Sequence, residues 1–298
     1  MALVHPQLAA FAAVIEEGSF DAAARRLSVT PSAVSQRVKA LEDRLGQVLV
    51  VRQAPCRPTP AGERLLRRVR PMQTLEAEAL AEFLPGDETT AATRTISIAV
   101  NDDSLETWFL GAIAQLHEQH GYVFDIRVDD QDHTLDLVRD GTVLGAVTST
   151  SKAIQGCNVY ALGTMRYRAI ASPAFAARYF ANGMDAASLA RAPMIVFNRK
   201  DELQWRFVRR ITRSQLTPPI HYIPTASGFV TAASLGLGWC LAPEYLIDAV
   251  KQSRRIIVVE PARWLDVPLY WQQAAIRSST LQQISDTLRE SAASALRI

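Results

Sequence analysis

The sequence predicts an α+β multidomain protein with a helical basic head, a long connecting helix and a larger α/β module. Three observations carry this expectation. Apolar residues recur at helical spacing through 5–83, with 48–51 the one extended run among them. From Thr95 the texture changes: Ile96, Ile98 and Val100 alternate like a strand, and Leu105, Trp108, Phe109, Ala112 and Leu116 then recur like a helix. Charge is also uneven, since residues 1–70 hold 11 Lys+Arg against 6 Asp+Glu while the remainder nets −3. An anion-binding module is therefore joined to something of different character.

With 298 residues, 48% hydrophobic and 21% charged, the chain is long enough for two or three cored domains and too apolar for disorder. The longest uncharged stretch, 228–243, is broken by Ser, Thr, Gly and Pro and falls short of the roughly 20 apolar residues a membrane span needs. Acidic Glu16 and Glu17 interrupt any leader-like apolar run. Cys56, Cys157 and Cys240 lie far apart without a C-x-x-C, so neither a disulfide framework nor a zinc site is read from them. The expected compartment is the cytoplasm.

Ser19 is placed to cap a short helix over 22–27 whose small residues let a neighbour approach closely. After Ser28 and Val29, Thr30 and Pro31 form the next start signal: a capping hydroxyl, then a proline at the first helical position, where its missing N–H is not needed. In that second helix Val34, Val38, Leu41 and Leu45 form the predicted buried stripe. Ser32, Gln36 and Lys39 cluster opposite, flanked by Ser35. Such a face suits the DNA major groove, where Gln pairs with adenine, and Arg25, Arg26, Arg37, Arg44, Arg52 and Arg57 surround it for phosphates. A merely solvated face is the plain alternative. The run 48–51 and the basic loop 52–58 read as a wing. Thr59 and Pro60 repeat the start signal and open a helix to about Phe83, in which Leu65, Val69, Met72, Leu75, Ala79 and Phe83 recur as a dimer seam would. Pro71 should kink it. Small and polar, 84–93 reads as a hinge.

Further strands are expected at 124–128, 143–148, 166–172, 194–197, 221–224, 238–242, 256–260 and 269–272, in a mostly parallel sheet, with a final helix over 279–298. Asn101, Asp102, Asp103 and Ser104 join the first strand to its helix. Free N–H groups and a hydroxyl there would hold a carboxylate, or Ser104 is an ordinary cap.

The run GSFDAAARRLSVTPSAVSQRVKALE over 18–42, with Leu45, Gly46, Arg52 and Thr59-Pro60-Ala61-Gly62, resembles the winged helix-turn-helix of LysR-type transcriptional regulators. The resemblance implies that Thr30, Ser32, Ser35, Gln36, Arg37 and Lys39 approach the operator and that Arg52 touches the backbone or minor groove. It also implies a long linker helix that pairs two heads through Leu65, Val69, Met72, Leu75 and Ala79. The remainder becomes a two-subdomain effector domain like a periplasmic binding protein. The domain bounds it gives are 1–59, 60–93 and 94–298, with subdomains 94–165 plus 267–298 and 166–266. NDDSLETWFLGAI, DDQDHT and GAVTS look like the arginine/lysine-responsive (ArgP/LysG-like) branch. A basic amino acid needs donors for its carboxylate and acids for its cation. Ser104, Thr107 and Trp108, then Thr148, Ser149 and Thr150, then Thr225, Ser227 and Gly228 are the candidate cradles. Asp102, Asp103, Asp129, Asp130 and Asp132 are the candidate acids.

Enzyme readings find less support. Ser149-Thr-Ser-Lys152 fits S-x-x-K without its companion motifs, His117 and His120 lack further metal ligands, and Gly236-Leu-Gly238 lacks a third glycine. The expectation is a non-enzymatic regulator of amino-acid export or metabolism genes, without cofactor or metal, modulated by lysine or arginine. Promoter duplex, a homodimer or homotetramer, and RNA polymerase are the expected partners. Two alternatives stand beside it: a constitutive nucleoid-structuring protein, and a small-molecule enzyme with a DNA-binding head.

Overall fold

A computed structural model describes residues 5–83, 95–128, 134–139, 141–251 and 255–297. The expected hinge at 84–93 and the acids Asp129, Asp130 and Asp132 lie outside the described residues.

The head packs α1 (Pro6–Glu17) across α2 (Phe20–Arg26) and α3 (Pro31–Leu45). Both start signals act as anticipated, with Ser19 Oγ accepting from Ala22 N at 3.1 Å and Thr30 Oγ1 from Ala33 N at 3.2 Å. Phe11, Val14, Ala23, Val34 and Val38 form the core. Leu45 departs from the predicted stripe: it is 47% exposed, because α3 ends there against the left-handed Gly46. β1 (Val50–Val51) and β2 (Arg57–Pro58) pair antiparallel as the wing.

α4 (Pro60–Phe83) runs unbroken through Pro71. Its first turns belong to the head, for Leu66 and Val69 are fully buried in the head core and Leu65 packs against it. Val69 is therefore removed from the expected intersubunit seam: the helix leans on α1 at this point, and the apolar stripe serves its own head first. Farther along, Met72, Leu75, Ala79 and Phe83 are exposed.

The second module begins with β3 (Thr95–Val100). α5 (Asp102–Ser104), a π turn (Leu105–Phe109) and α6 (Leu110–His120) then lead through β4 (Val123–Val128) and α7 (Thr134–Arg139) to β5 (Gly145–Thr148). β3 is parallel to β4 and β5. The expectation of a mostly parallel sheet fails beyond this point. β6 (Cys157–Ala171) and β11 (Leu265–Ala274) are long and mutually antiparallel, and β11 is also antiparallel to β5. The early half of β6 is only half-buried on both faces, so it carries no alternation that sequence could display.

α8 (Pro173–Tyr179), α9 (Ala186–Arg191), β7 (Met194–Val196), α10 (Leu203–Ile211), β8 (Ile220–Tyr222), α11 (Ala226–Ser234), β9 (Cys240–Pro243), α12 (Glu244–Lys251) and β10 (Ile257–Val258) follow β6. β7 and β8 pair in parallel, whereas β9 and β10 flank β6 antiparallel. The chain then returns through β11 to α13 (Ser279–Ala295), which packs on α6 and β6. Trp271 anchors this return. Its ring is fully buried against Gly145, where a Cβ would overlap it, and Nε1 donates to Gln273 Oε1 and Ser285 Oγ, both at 3.0 Å.

α4 also touches the second module. Arg70 donates to the Gly141 carbonyl while its Nε lies 3.6 Å from Glu16 of α1, and Glu16 is 2.6 Å from Arg26. About two turns farther on, Glu78 Oε1 accepts from Ser278 Oγ at 2.5 Å and Thr280 N at 2.9 Å, capping α13 from outside.

Candidate functional site

On α3, Ser32, Gln36 and Lys39 are exposed side by side while Val34, Val38 and Leu41 hold the opposite face in the core. Thr30 is occupied as the helix cap and its hydroxyl lies 3.0 Å from Ser32 Oγ, so Thr30 orders the first turn and Ser32 remains outward. Ser35 and Arg37 are half-buried at the edges. Arg26 is committed elsewhere: Glu16 and Glu17 hold it at 2.6 and 3.2 Å. These acids outweigh the desolvation that opposes them and push its pKa up. Arg52 reaches back from the wing. Its guanidinium lies over the Phe20 ring at 4.9 Å and donates to Ser35 Oγ at 3.4 Å, with half its side chain still open. A polar strip flanked by Arg52 is thus presented on one side of the head.

In the larger module, the parallel strands β3 and β5 end side by side, which brings Asn101–Ser104 and Thr148–Ser149 to one edge of the sheet. The N-terminus of α11 faces that edge. Asp102 Oδ2 accepts from Ala226 N, and Ser227 Oγ donates to Glu106 Oε1 at 3.4 Å. Thr225 and Ser227 hydroxyls lie 3.1 Å apart beside them. A protein carboxylate therefore occupies the donor group at the start of this helix, where an anion is favoured. Burial raises the pKa of Asp102, opposed by the Ala226 amide. Behind this contact, Ser104 Oγ and both polar atoms of the Asn101 amide are buried without a hydrogen-bond partner. Buried polar groups are normally satisfied, so Asn101 and Ser104 stand out at the end of this strand. Thr148 is fully buried, with its hydroxyl 3.2 Å from the Thr150 carbonyl.

Two profiles of known families match the chain: "bacterial regulatory helix-turn-helix protein, lysR family" over residues 5–63, and "LysR substrate binding domain" over residues 90–293. The chain belongs to the LysR family. LysR-family relatives include the regulator LysG of Mycobacterium tuberculosis, 48% identical over 96% of this chain and 93% of its own. ArgP of Aeromonas salmonicida is 41% identical over 96% of both. Among solved structures, ArgP of Mycobacterium tuberculosis superposes with a TM-score of 0.85 at 46% identity, covering 99% of each chain. Full-length LysG of Corynebacterium glutamicum, with bound effector Arg, gives 0.76 at 37% identity, covering 98% of this chain and 99% of that one.

Within this LysR-family frame, the candidate cradle residues divide. Ser104, Thr148, Ser149, Thr225 and Ser227 belong to elements that meet at the sheet edge. Thr107 and Trp108 depart from the expected cradle and line a different, small cavity of about 40 Å³ with Arg166 and Glu244. Both residues sit inside the π turn, whose wider winding takes them off the side-chain spacing of an α-helix. Thr107 Oγ1 then bonds the Asp103 carbonyl at 2.6 Å, and Trp108 enters the core. Asp103 is likewise engaged, receiving the Tyr167 hydroxyl at 2.7 Å. Glu106 joins this edge although it is not among the expected cradle residues or acids, and Asn101, expected there only as part of the strand-to-helix junction, brings a buried side-chain amide. Asn101 was legible as a polar residue directly after a buried strand, whereas Glu106 had no signal of its own. Of the enzyme-like motifs, His117 Nδ1 bonds the Tyr122 carbonyl at 2.8 Å and His120 stacks on the Tyr122 ring at 5.2 Å. Among the described residues no three metal-ligating side chains gather, and no helix is long and apolar enough to cross a membrane.

Proposed function

We propose that this LysR-family protein is a cytoplasmic, non-enzymatic, one-component regulator whose promoter binding responds to a basic amino acid, arginine or lysine, and that it controls amino-acid export or metabolism genes. The observation that carries the effector reading is the sheet edge itself. Asn101 and Ser104 offer unmatched buried donors and acceptors, and the Ala226 amide at the start of α11 is held by the Asp102 carboxylate. An amino-acid carboxylate has the same chemistry as Asp102 and can replace it on Ala226 N, with Glu106 near the ligand's cationic groups. The arginine bound to the Corynebacterium glutamicum relative supports this choice of ligand.

In this reading Ser32, Gln36 and Lys39 meet base edges, while Ser35, Arg37 and Arg52 hold the backbone or minor groove. Two chains pair through Met72, Leu75 and Ala79, within a dimer or tetramer, and RNA polymerase is the downstream partner. The working partition is a head, α4 as linker, and an effector domain whose subdomains close on the ligand. Effector binding acts by preferring one arrangement of heads over another. Fluorescence anisotropy with promoter duplex against random duplex, with and without arginine or lysine, tests it. A specific complex that shifts with one amino acid is expected; indifference to both removes the effector assignment, and lack of preference over random DNA removes the regulator.

A further inference from the structure

Glu42 occupies a position that helix electrostatics disfavours. It lies in the last turn of α3 next to Asp43, where the carbonyl end of the helix already carries partial negative charge. Its side chain is 13% exposed and turns toward the wing. Oε1 accepts from Leu49 N at 2.8 Å and Val50 N at 3.3 Å, and Oε2 lies 3.8 Å from Arg52 Nη2.

The same peptide units are held from the other side by the start of α4. Thr59 N donates to the Leu49 carbonyl at 2.9 Å, and Thr59 Oγ1 donates to the Val48 carbonyl at 2.7 Å while accepting from Gly62 N at 3.1 Å. A Cβ at Gly62 would overlap the Leu49 oxygen, so the linker helix approaches this strand as closely as a backbone can. The inner wing strand is thus clamped: its amides by the recognition helix, its carbonyls by the linker helix. Arg52, one residue past that strand, is aimed back at Ser35 and Phe20.

We infer that Glu42 is a positioning residue for DNA recognition, which fixes the wing and Arg52 in register with the base-reading face of α3. The inference rests on DNA recognition by the head. Glu42 touches no nucleotide in this scheme; it sets the angle at which the wing meets the duplex while Gln36 occupies the groove. A carboxylate suits the role because one oxygen takes two amides and the other steers a guanidinium. Glutamine retains the first function and loses the second.

The test uses the full chain and a duplex that the wild type selects from a randomised library. That selection examines recognition by itself, before any variant is made. Glu42→Ala should lower the ratio of selected-duplex to random-duplex affinity about tenfold, and its hydroxyl-radical footprint should lose protection at the flank contacted by the wing while central protection persists. Glu42→Gln should recover most of the ratio. An Ala variant with unchanged circular dichroism and an unchanged ratio would overturn the inference, as would uniform weakening of the whole footprint. If the Ala variant does not fold, the Gln variant decides: a footprint that shortens at the wing flank supports the role of the Glu42–Arg52 pair, and a footprint and ratio identical to wild type refute it.

Discussion

Replacing Asp102 with alanine separates two roles that a cleft acid can play. Asp102 accepts the Ala226 amide at the start of α11, and hydrogen bonds to a charged acceptor contribute about 1.5–3 kcal/mol. The side chain is half-buried, so the lower end applies, about 1.5 kcal/mol. The Ser227–Glu106 contact at 3.4 Å is exposed and adds little. If a ligand carboxylate must displace Asp102 from Ala226 N, deleting the competitor should tighten arginine binding by that amount, roughly 12-fold. Isothermal titration of wild type and Asp102→Ala with L-arginine reads this directly, with circular dichroism to establish equal folding. An unchanged affinity would refute the displacement argument. A weaker one would refute it as well, and would assign Asp102 to the cationic end of the ligand instead.

Ser104→Ala removes a buried hydroxyl that bonds nothing, so thermal stability should hold or rise by up to about 1 kcal/mol while arginine affinity falls; calorimetry and a melting curve check the two together. Gln36→Ala should lose about 1–3 kcal/mol on the selected duplex and far less on random duplex in anisotropy titrations, equal losses counting against base readout. Val69→Ala should destabilise the head by about 2 kcal/mol in denaturant melts, whereas Met72→Glu, on the exposed stretch, should leave the melt alone and weaken self-association in sedimentation. Asp266, held at 2.7 and 2.8 Å by Arg166, has its pKa lowered by that pairing, against some desolvation. Its contribution is therefore present above the ordinary carboxylate value of 3.8 and lost as pH falls through the lower folded value. Asp266→Asn should depress the melting temperature at pH 7, and the gap to wild type should close below that value.

What sequence revealed, and what it hid, follows the range of the forces involved. Ser19 and Thr30 cap amides three residues away and Pro31 follows at the first helical position, so the starts of α2 and α3 could be read locally. β6 could not, because its first half lies half-exposed on both faces and shows no alternation. The stripe Leu65, Val69, Met72 on α4 is a single periodic signal, yet Val69 packs into the head and Met72 faces outward. Periodicity identifies an apolar face without saying what covers it. At the cleft, Ser104 was visible as a polar residue at a helix start, but its full burial depends on the packing of the whole sheet. The Asp102–Ala226 contact joins residues 124 positions apart, and no local pattern announces such a pairing. The π turn that diverts Thr107 and Trp108 is equally silent, for LETWF reads as ordinary helix.

The placement of Leu66 and Val69 in the head core has a practical meaning for anyone recombining parts of such proteins. A head cut at residue 59 would leave behind two of its own core side chains and expose the apolar hollow they fill, as a wall stands open when its tenon is sawn away. Grafts that exchange DNA specificity between relatives should therefore carry α4 with the donor head as far as Val69 at least. Because Arg70 and Glu78 follow on the same helix and bond the second module, the acceptor must supply a matching carbonyl and helix end for them. Specificity and response are in this sense heritable only together with the helix between them.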